Sequence, residues 1–201
     1  KMAKKKGAKK VRSIATPKTS WKRVPTGIPG FDKLVQGGFP QGSNILVAGG
    51  PGTGKTIFGI QYLYNGATKF NEKSLLVTFE QRAEDIQEQA RQFGWKLKEL
   101  EKQGKLKIMV YSAKDINEKT IAEIKNTIKT GGYKRLVIDS ISTLLVNAPV
   151  YVTTDNLALK DVMSEYTIFS PPIVGDYILK KFLYSFIDSL KDLGCTSVLV
   201  S

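Results

Sequence analysis

Apolar and polar positions along the chain follow two alternating rhythms. Short, largely apolar runs between glycine or polar residues suit strands buried on both faces. They occur at "NILVAGG" (44–50), "SLLVTF" (74–79), "LKIMVY" (106–111), "RLVID" (135–139) and "TSVLVS" (196–201). Between these runs apolar residues recur every three or four positions. Ile57, Ile60, Leu63, Tyr64 and Ala67 predict a helix over 56–70, and Ile86, Ala90 and Phe93 a second one that Gly94 breaks. Ile121, Ile124 and Ile128 predict a third helix, capped by Asn117 and stopped at Gly131 and Gly132. Leu179, Phe182, Leu183, Phe186, Leu190 and Leu193 predict a fourth, running from Asp176 to Gly194.

Repeated strand and helix alternation implies a three-layer α/β core, a mainly parallel twisted sheet with helices on both faces. Such sheets bind ligands at the carboxyl ends of their strands. Two segments stand apart from the alternation. The lead-in "TGIPGFDKLVQGGFPQGS" (26–43) is punctuated by Gly and Pro and predicts a small helix around Phe31, Leu34 and Val35. Residues 147–175 are mixed and polar, and they predict an insertion with a short helix near Leu157–Met163 and a stiff "SPP" turn at 170–172.

With 201 residues the chain suits one domain. Charge changes the picture at one end only. The net charge is +13, but residues 1–23 carry ten basic side chains and no acid, leaving 21 basic against 18 acidic residues elsewhere. The sequence therefore predicts a disordered basic tail over 1–23, able to meet nucleic acid or an acidic partner, ahead of a nearly balanced domain over 24–201. No apolar run is long enough to span a bilayer, and no apolar stretch follows the basic start as in a secretory leader. With one cysteine, Cys195, no internal disulfide can form, and a reducing cytoplasm is the expected compartment. Cys195 is expected to be an inert core thiol, and Trp21 and Trp95 to pack. The absence of histidine excludes every His-based triad, general base and zinc site. Carboxylates, lysine, hydroxyls and oxygen-ligated magnesium remain.

Candidate chemistry concentrates between the first strand and the first long helix. "GGPGTGKT" (49–56) fits the phosphate-loop pattern GxxxxGK[ST] at Gly49, Gly54, Lys55 and Thr56. Glycine-permitted turns let the backbone N–H groups of Gly49, Gly50, Pro51, Gly52, Thr53, Gly54 and the first helical residues through Ile57, proline excepted, surround phosphates. In this pattern Lys55 pairs with the β and γ phosphates and the Thr56 hydroxyl ligates magnesium. "RLVID" supplies the matching carboxylate, Asp139, for the same ion. The expected ligands are ATP and Mg2+.

Taken in order, "TGIPGFDKLVQGGFPQGS", "GGPGTGKT", "LLVTFEQRAEDIQEQARQFGW", "LVIDSIS" and "LGCTSVLVS" resemble the KaiC-like branch of the RecA superfamily of ATPases. The resemblance covers nearly everything from Val24 to Ser201 apart from the insertion. It implies a P-loop NTPase core, Mg-dependent ATP hydrolysis, and a ring (a hexamer) or filament; the lack of a bilayer-spanning run adds the expectation of no membrane association. It also implies a water-polarising role for the glutamate at the tip of the strand after the phosphate loop, a position that Glu80 occupies. Family members often carry two acids there, whereas Glu80 is followed by Gln81, which makes Gln81 a residue that could tune turnover. The family's chain also continues past the last strand seen here, so the resemblance implies that the C-terminal part of the family domain is missing.

Three readings follow from these residues. One is a KaiC-like ATPase in regulation or signalling. Another is a DNA-binding ATPase of recombination or repair, related to RecA and RadA paralogues, that grips phosphates with the basic tail. The third is a nucleotide-dependent assembly protein with negligible turnover.

Overall fold

The computed structural model describes residues 21–147 and 171–201, with 171–178 as helix backbone alone. Its centre is a parallel five-stranded sheet of β3 (Asn44–Val47), β4 (Ser74–Thr78), β5 (Leu106–Val110), β6 (Arg135–Asp139) and β7 (Thr196–Val200). The spatial order is β3-β7-β6-β4-β5. In the lead-in, β1 (Arg23–Val24) pairs antiparallel with β2 (Phe39–Pro40) around α1 (Phe31–Leu34).

Side chains alternate across each strand, and the two resulting faces collect different helices. Leu76, Val137, Val198 and Val200 pack against α2 (Lys55–Lys69), α3 (Ala83–Gln92) and α4 (Leu97–Lys102). Leu75, Val77, Leu136, Ile138 and Leu199 face the other way, toward α5 (Glu118–Gly131), α6 (Ile141–Val146) and α7 (Pro171–Asp192). Alternate residues of one strand thus fill two separate cores. This is why β4, β6 and β7 are buried along their whole length.

The three-layer architecture and its strands and long helices are as the residue pattern predicts, with three differences. The first strand was expected to be buried, but β3 has a strand neighbour on one side only among the described residues, and Leu46 is 61% exposed. Where a turn was expected at 170–172, Pro171 and Pro172 are helical, because α7 begins at Pro171, five residues before Asp176. Proline is suited to the first helical position, where its fixed φ is helical and its missing N–H needs no partner. The rest of the predicted insertion, including the short helix near Leu157–Met163, lies outside the described residues, as does nearly all of the basic tail. Finally, α4 and α6 were not anticipated. Each is six residues long, with only Leu97 and Leu100, or Ile141 and Leu144, buried, too few to set a period.

One fully buried cation ties the lead-in to the core. Arg135, at the start of β6, meets Glu72 Oε2 at 2.6 Å and donates to the Tyr62 and Pro25 carbonyls at 3.1 and 2.8 Å. Its guanidinium also lies over the rings of Tyr62 and Phe70, 4.6 and 4.8 Å from their centroids. This packing needs a glycine in the middle of α2: a Cβ at Gly66 would come within 2.3 Å of Arg135 Cδ. Helix propensity alone favours Gly66→Ala by about 1 kcal/mol. Because the guanidinium is fixed on every side, the expected outcome is instead a loss of about 1–3 kcal/mol, read from the urea midpoint. An unchanged midpoint would mean that Arg135 is free to move.

Candidate active site

Strand register brings the site together. Val47, Val200, Asp139, Thr78 and Val110 stand in one row across the sheet, at its carboxyl edge. Just beyond that row come the phosphate-loop segment after β3, Ser201 after β7, Ser140 after β6 and Glu80 after β4.

The loop after β3 is exposed from Gly49 to Gly54, and α2 starts at Lys55. Gly54 turns the chain with φ 86°, a left-handed conformation that glycine adopts without cost. No side chain caps α2 and its first turn holds no acid, so the amides and the positive end of a 15-residue helix face outward uncompensated. That is the arrangement an anion needs. The Lys55 ammonium donates to the Gly49 and Gly50 carbonyls at 2.7 and 2.9 Å, and the Thr53 hydroxyl donates to Gly50 O at 2.9 Å. Ile57, in the first turn of α2, differs from its neighbours in the motif: its partly buried side chain packs against the core, so only its backbone N–H is available to the loop.

Thr56 and Asp139 meet directly, with the Thr56 hydroxyl donating to Asp139 Oδ2 at 2.7 Å. Asp139 is buried, and that burial lifts its carboxyl above the usual range; the nearby Glu80 charge adds to the rise, while the Thr56 hydrogen bond and Lys55 offset part of it. A buried carboxylate held at a cost is stabilised by a cation. Among the described residues no group of three or more His, Cys, Asp or Glu is close enough to hold a metal alone. One carboxylate and one hydroxyl suit magnesium, which keeps waters and takes further oxygens from phosphates.

Glu80 is exposed, and its Oε1 accepts hydrogen bonds from the hydroxyls of Ser140 and Thr143, the latter at 2.8 Å. Both belong to the start of α6, where Ser140 is the N-cap and accepts from the Thr143 amide at 3.1 Å. Gln81 is half-buried, and its side-chain carbonyl oxygen is buried with no hydrogen-bond partner among the described residues. Ser142 and Ser201 share a hydrogen bond of 2.7 Å, while Ser201 also exchanges backbone bonds with Val47 and Gly49. These hydroxyls are not among the residues that the phosphate-loop pattern or the family resemblance points to. The run "DSIST" (139–143) was the available signal, three hydroxyls within four residues of the expected metal carboxylate. A groove of about 520 Å³ elsewhere, lined by α3, α4 and the link between them, with Glu88, Arg91 and Trp95 among its residues, includes none of these.

A profile of the family described as "ATPase: KaiC" matches residues 24–170. The chain belongs to the KaiC ATPase family. Among proteins similar to this KaiC-family chain, a UPF0273 protein of Methanocaldococcus jannaschii is 40% identical over 159 residues, 71% of this chain and 66% of the relative. The circadian clock oscillator protein KaiC of Thermosynechococcus vestitus is 43% identical over 132 residues, 61% of this chain but 26% of that protein. A crystal structure of a KaiC-like protein from Pyrococcus horikoshii superposes with TM-score 0.69 at 32% identity, covering 90% of this chain and 70% of that one. The chain spans 56–66% of the length of its UPF0273 relatives from M. jannaschii, P. horikoshii and Sulfurisphaera tokodaii. These matches agree with the RecA-type, P-loop ATPase architecture that the sequence motifs imply.

The raised Asp139 carboxyl has a consequence for stability. The folded state binds this proton more tightly than the unfolded chain does, so Asp139 costs nothing at low pH. The cost builds as the pH rises past about 4, the unfolded value, and levels off above the folded one. Ligand-free Asp139→Asn is therefore expected to melt above the wild type at pH 7, with the gap closing toward pH 3. Thermal melts across that range check it, and a lower melting point for the variant at pH 7 would contradict it.

Proposed function

We propose that this KaiC-family chain binds ATP with magnesium on residues 49–57 and hydrolyses it to ADP and phosphate. The observation that carries the reading is the convergence, at one row of strand tips, of uncapped helix amides, the Lys55 ammonium, the Thr56–Asp139 pair and Glu80. The loop amides and Lys55 would hold the β and γ phosphates and neutralise charge that grows on the γ oxygens. Bound magnesium, held by Thr56 and Asp139, would supply further neutralisation of that charge. Glu80 would orient a water in line with the γ phosphorus and accept its proton. Water oxygen then bonds to phosphorus as the bond to the β–γ bridging oxygen breaks, and ADP leaves.

Gln81 has no negative charge and can only hydrogen bond, so in this reading it slows turnover relative to a second acid. The resemblance extends the reading to several copies in a ring or filament, in which a neighbour completes each nucleotide site. It also supports a role in regulation or signalling.

Phosphate release from ATP and magnesium tests the activity, alongside nucleotide binding followed by a fluorescent analogue. Lys55→Ala is expected to abolish both signals, whereas Glu80→Gln keeps binding and loses about 10²-fold or more in turnover. Wild-type release no greater than that of Lys55→Ala would end the enzyme reading in favour of nucleotide-dependent assembly. Release that depends on single-stranded DNA, and loses that dependence when residues 1–23 are deleted, would move the protein to the DNA-binding class. Gln81→Glu is expected to raise turnover, and an unaltered rate would remove Gln81 from the reading.

A further inference from the structure

An exposed glutamate ordinarily samples several rotamers, which suits a base poorly because proton transfer depends on distance and angle. Glu80 is exposed yet restrained. One of its two oxygens, Oε1, receives both the Ser140 and the Thr143 hydroxyl, and these hydroxyl oxygens are themselves 3.0 Å apart. With each hydroxyl contributing its one proton, Oε1 holds two donors while Oε2 keeps its lone pairs for another partner. The donors are rigid. Ser140 caps α6, and Ile141 and Leu144 bury the helix in the core. The same chain segment carries Asp139, whose carboxylate accepts from the Thr56 hydroxyl. The restraint on Glu80 and the carboxylate that meets Thr56 are therefore parts of one backbone unit.

We propose that Ser140 and Thr143 are positioning residues for hydrolysis: they fix Glu80 by one carboxylate oxygen and leave the other turned to the attacking water. The inference rests on the hydrolysis reading above and adds α6 to the machinery. Neither hydroxyl touches the nucleotide in this scheme. Both act through Glu80.

The decisive variant is Thr143→Val, which keeps the β-branched shape and removes the hydroxyl. Losing one of two charge-assisted hydrogen bonds is expected to lower kcat about tenfold to hundredfold, with KM and nucleotide affinity unchanged. Thr143→Ser restores the hydroxyl and is expected to turn over at close to the wild-type rate. In a Glu80→Gln background, where the base is already gone, Thr143→Val should cost no more than about twofold. Urea midpoints within experimental error of wild type confirm that the fold survives. The proposal is overturned by an unchanged or faster Thr143→Val, by failure of Thr143→Ser to rescue, or by equal losses in the wild-type and Glu80→Gln backgrounds. Should Glu80→Gln itself turn over like the wild type while still binding nucleotide, the water-holding role of Glu80 falls and the positioning role with it. Loss of binding in Lys55→Ala together with an inert wild type would instead identify failure of the hydrolysis reading.

Discussion

The common register of five parallel strands is the constraint on which everything else depends. Thr78 stands opposite Asp139, Asp139 opposite Val200, and Val200 opposite Val47. A slip of one residue in β6 would exchange its two faces, sending Leu136 and Ile138 to the α2 side and Val137 to the α5 side. It would also carry Asp139 away from the Thr56 hydroxyl. Core packing and site geometry are therefore fixed by one alternation, and the interior hydrophobes determine where the polar residues at the tips arrive.

Arg135 works at the opposite end of the same strand. A buried guanidinium is stable only when its donors find acceptors, and here they come from a carboxylate and two backbone carbonyls in different parts of the chain. Pro25 O belongs to the lead-in, Tyr62 O to α2 and Glu72 to the turn before β4. The lead-in has a second anchor in Asp32, whose carboxylate accepts from the amides of Thr26 and Gly27 and from the Thr26 hydroxyl. The N-terminal end of β6 thus carries structural charge, while its C-terminal end carries the candidate chemistry.

Much of this was legible in the sequence. Continuous apolar runs announced doubly covered strands, glycine stops gave the helix ends, and the motif around Lys55 lay where a strand turns into a helix. Cys195 is buried as expected, with burial lifting its thiol to about 11, so it stays protonated and unreactive. The expectation that both tryptophans pack holds for Trp95, stacked with Phe93 and Tyr64, but not for Trp21, which is 69% exposed. What could not be read was of two kinds. Lateral strand order is set by tertiary packing, so the one-sided pairing of β3 among the described residues had no local signature. The hydrogen bonds from Ser140 and Thr143 to Glu80 span some sixty residues of chain, and periodicity carries no information about such pairs.

The lysine of the phosphate loop is already satisfied. Its ammonium bonds two carbonyls of its own loop, so a phosphate bound there, as proposed, would displace partners rather than fill a gap. Binding is then an exchange, and its free energy is the difference between two sets of charge-assisted contacts. A weakly charged anion gains little in such an exchange. A polyphosphate, meeting the helix amides and the ammonium together, gains on both. On the proposed reading, the loop would set a charge threshold for its ligands before any contact with a base or sugar is made.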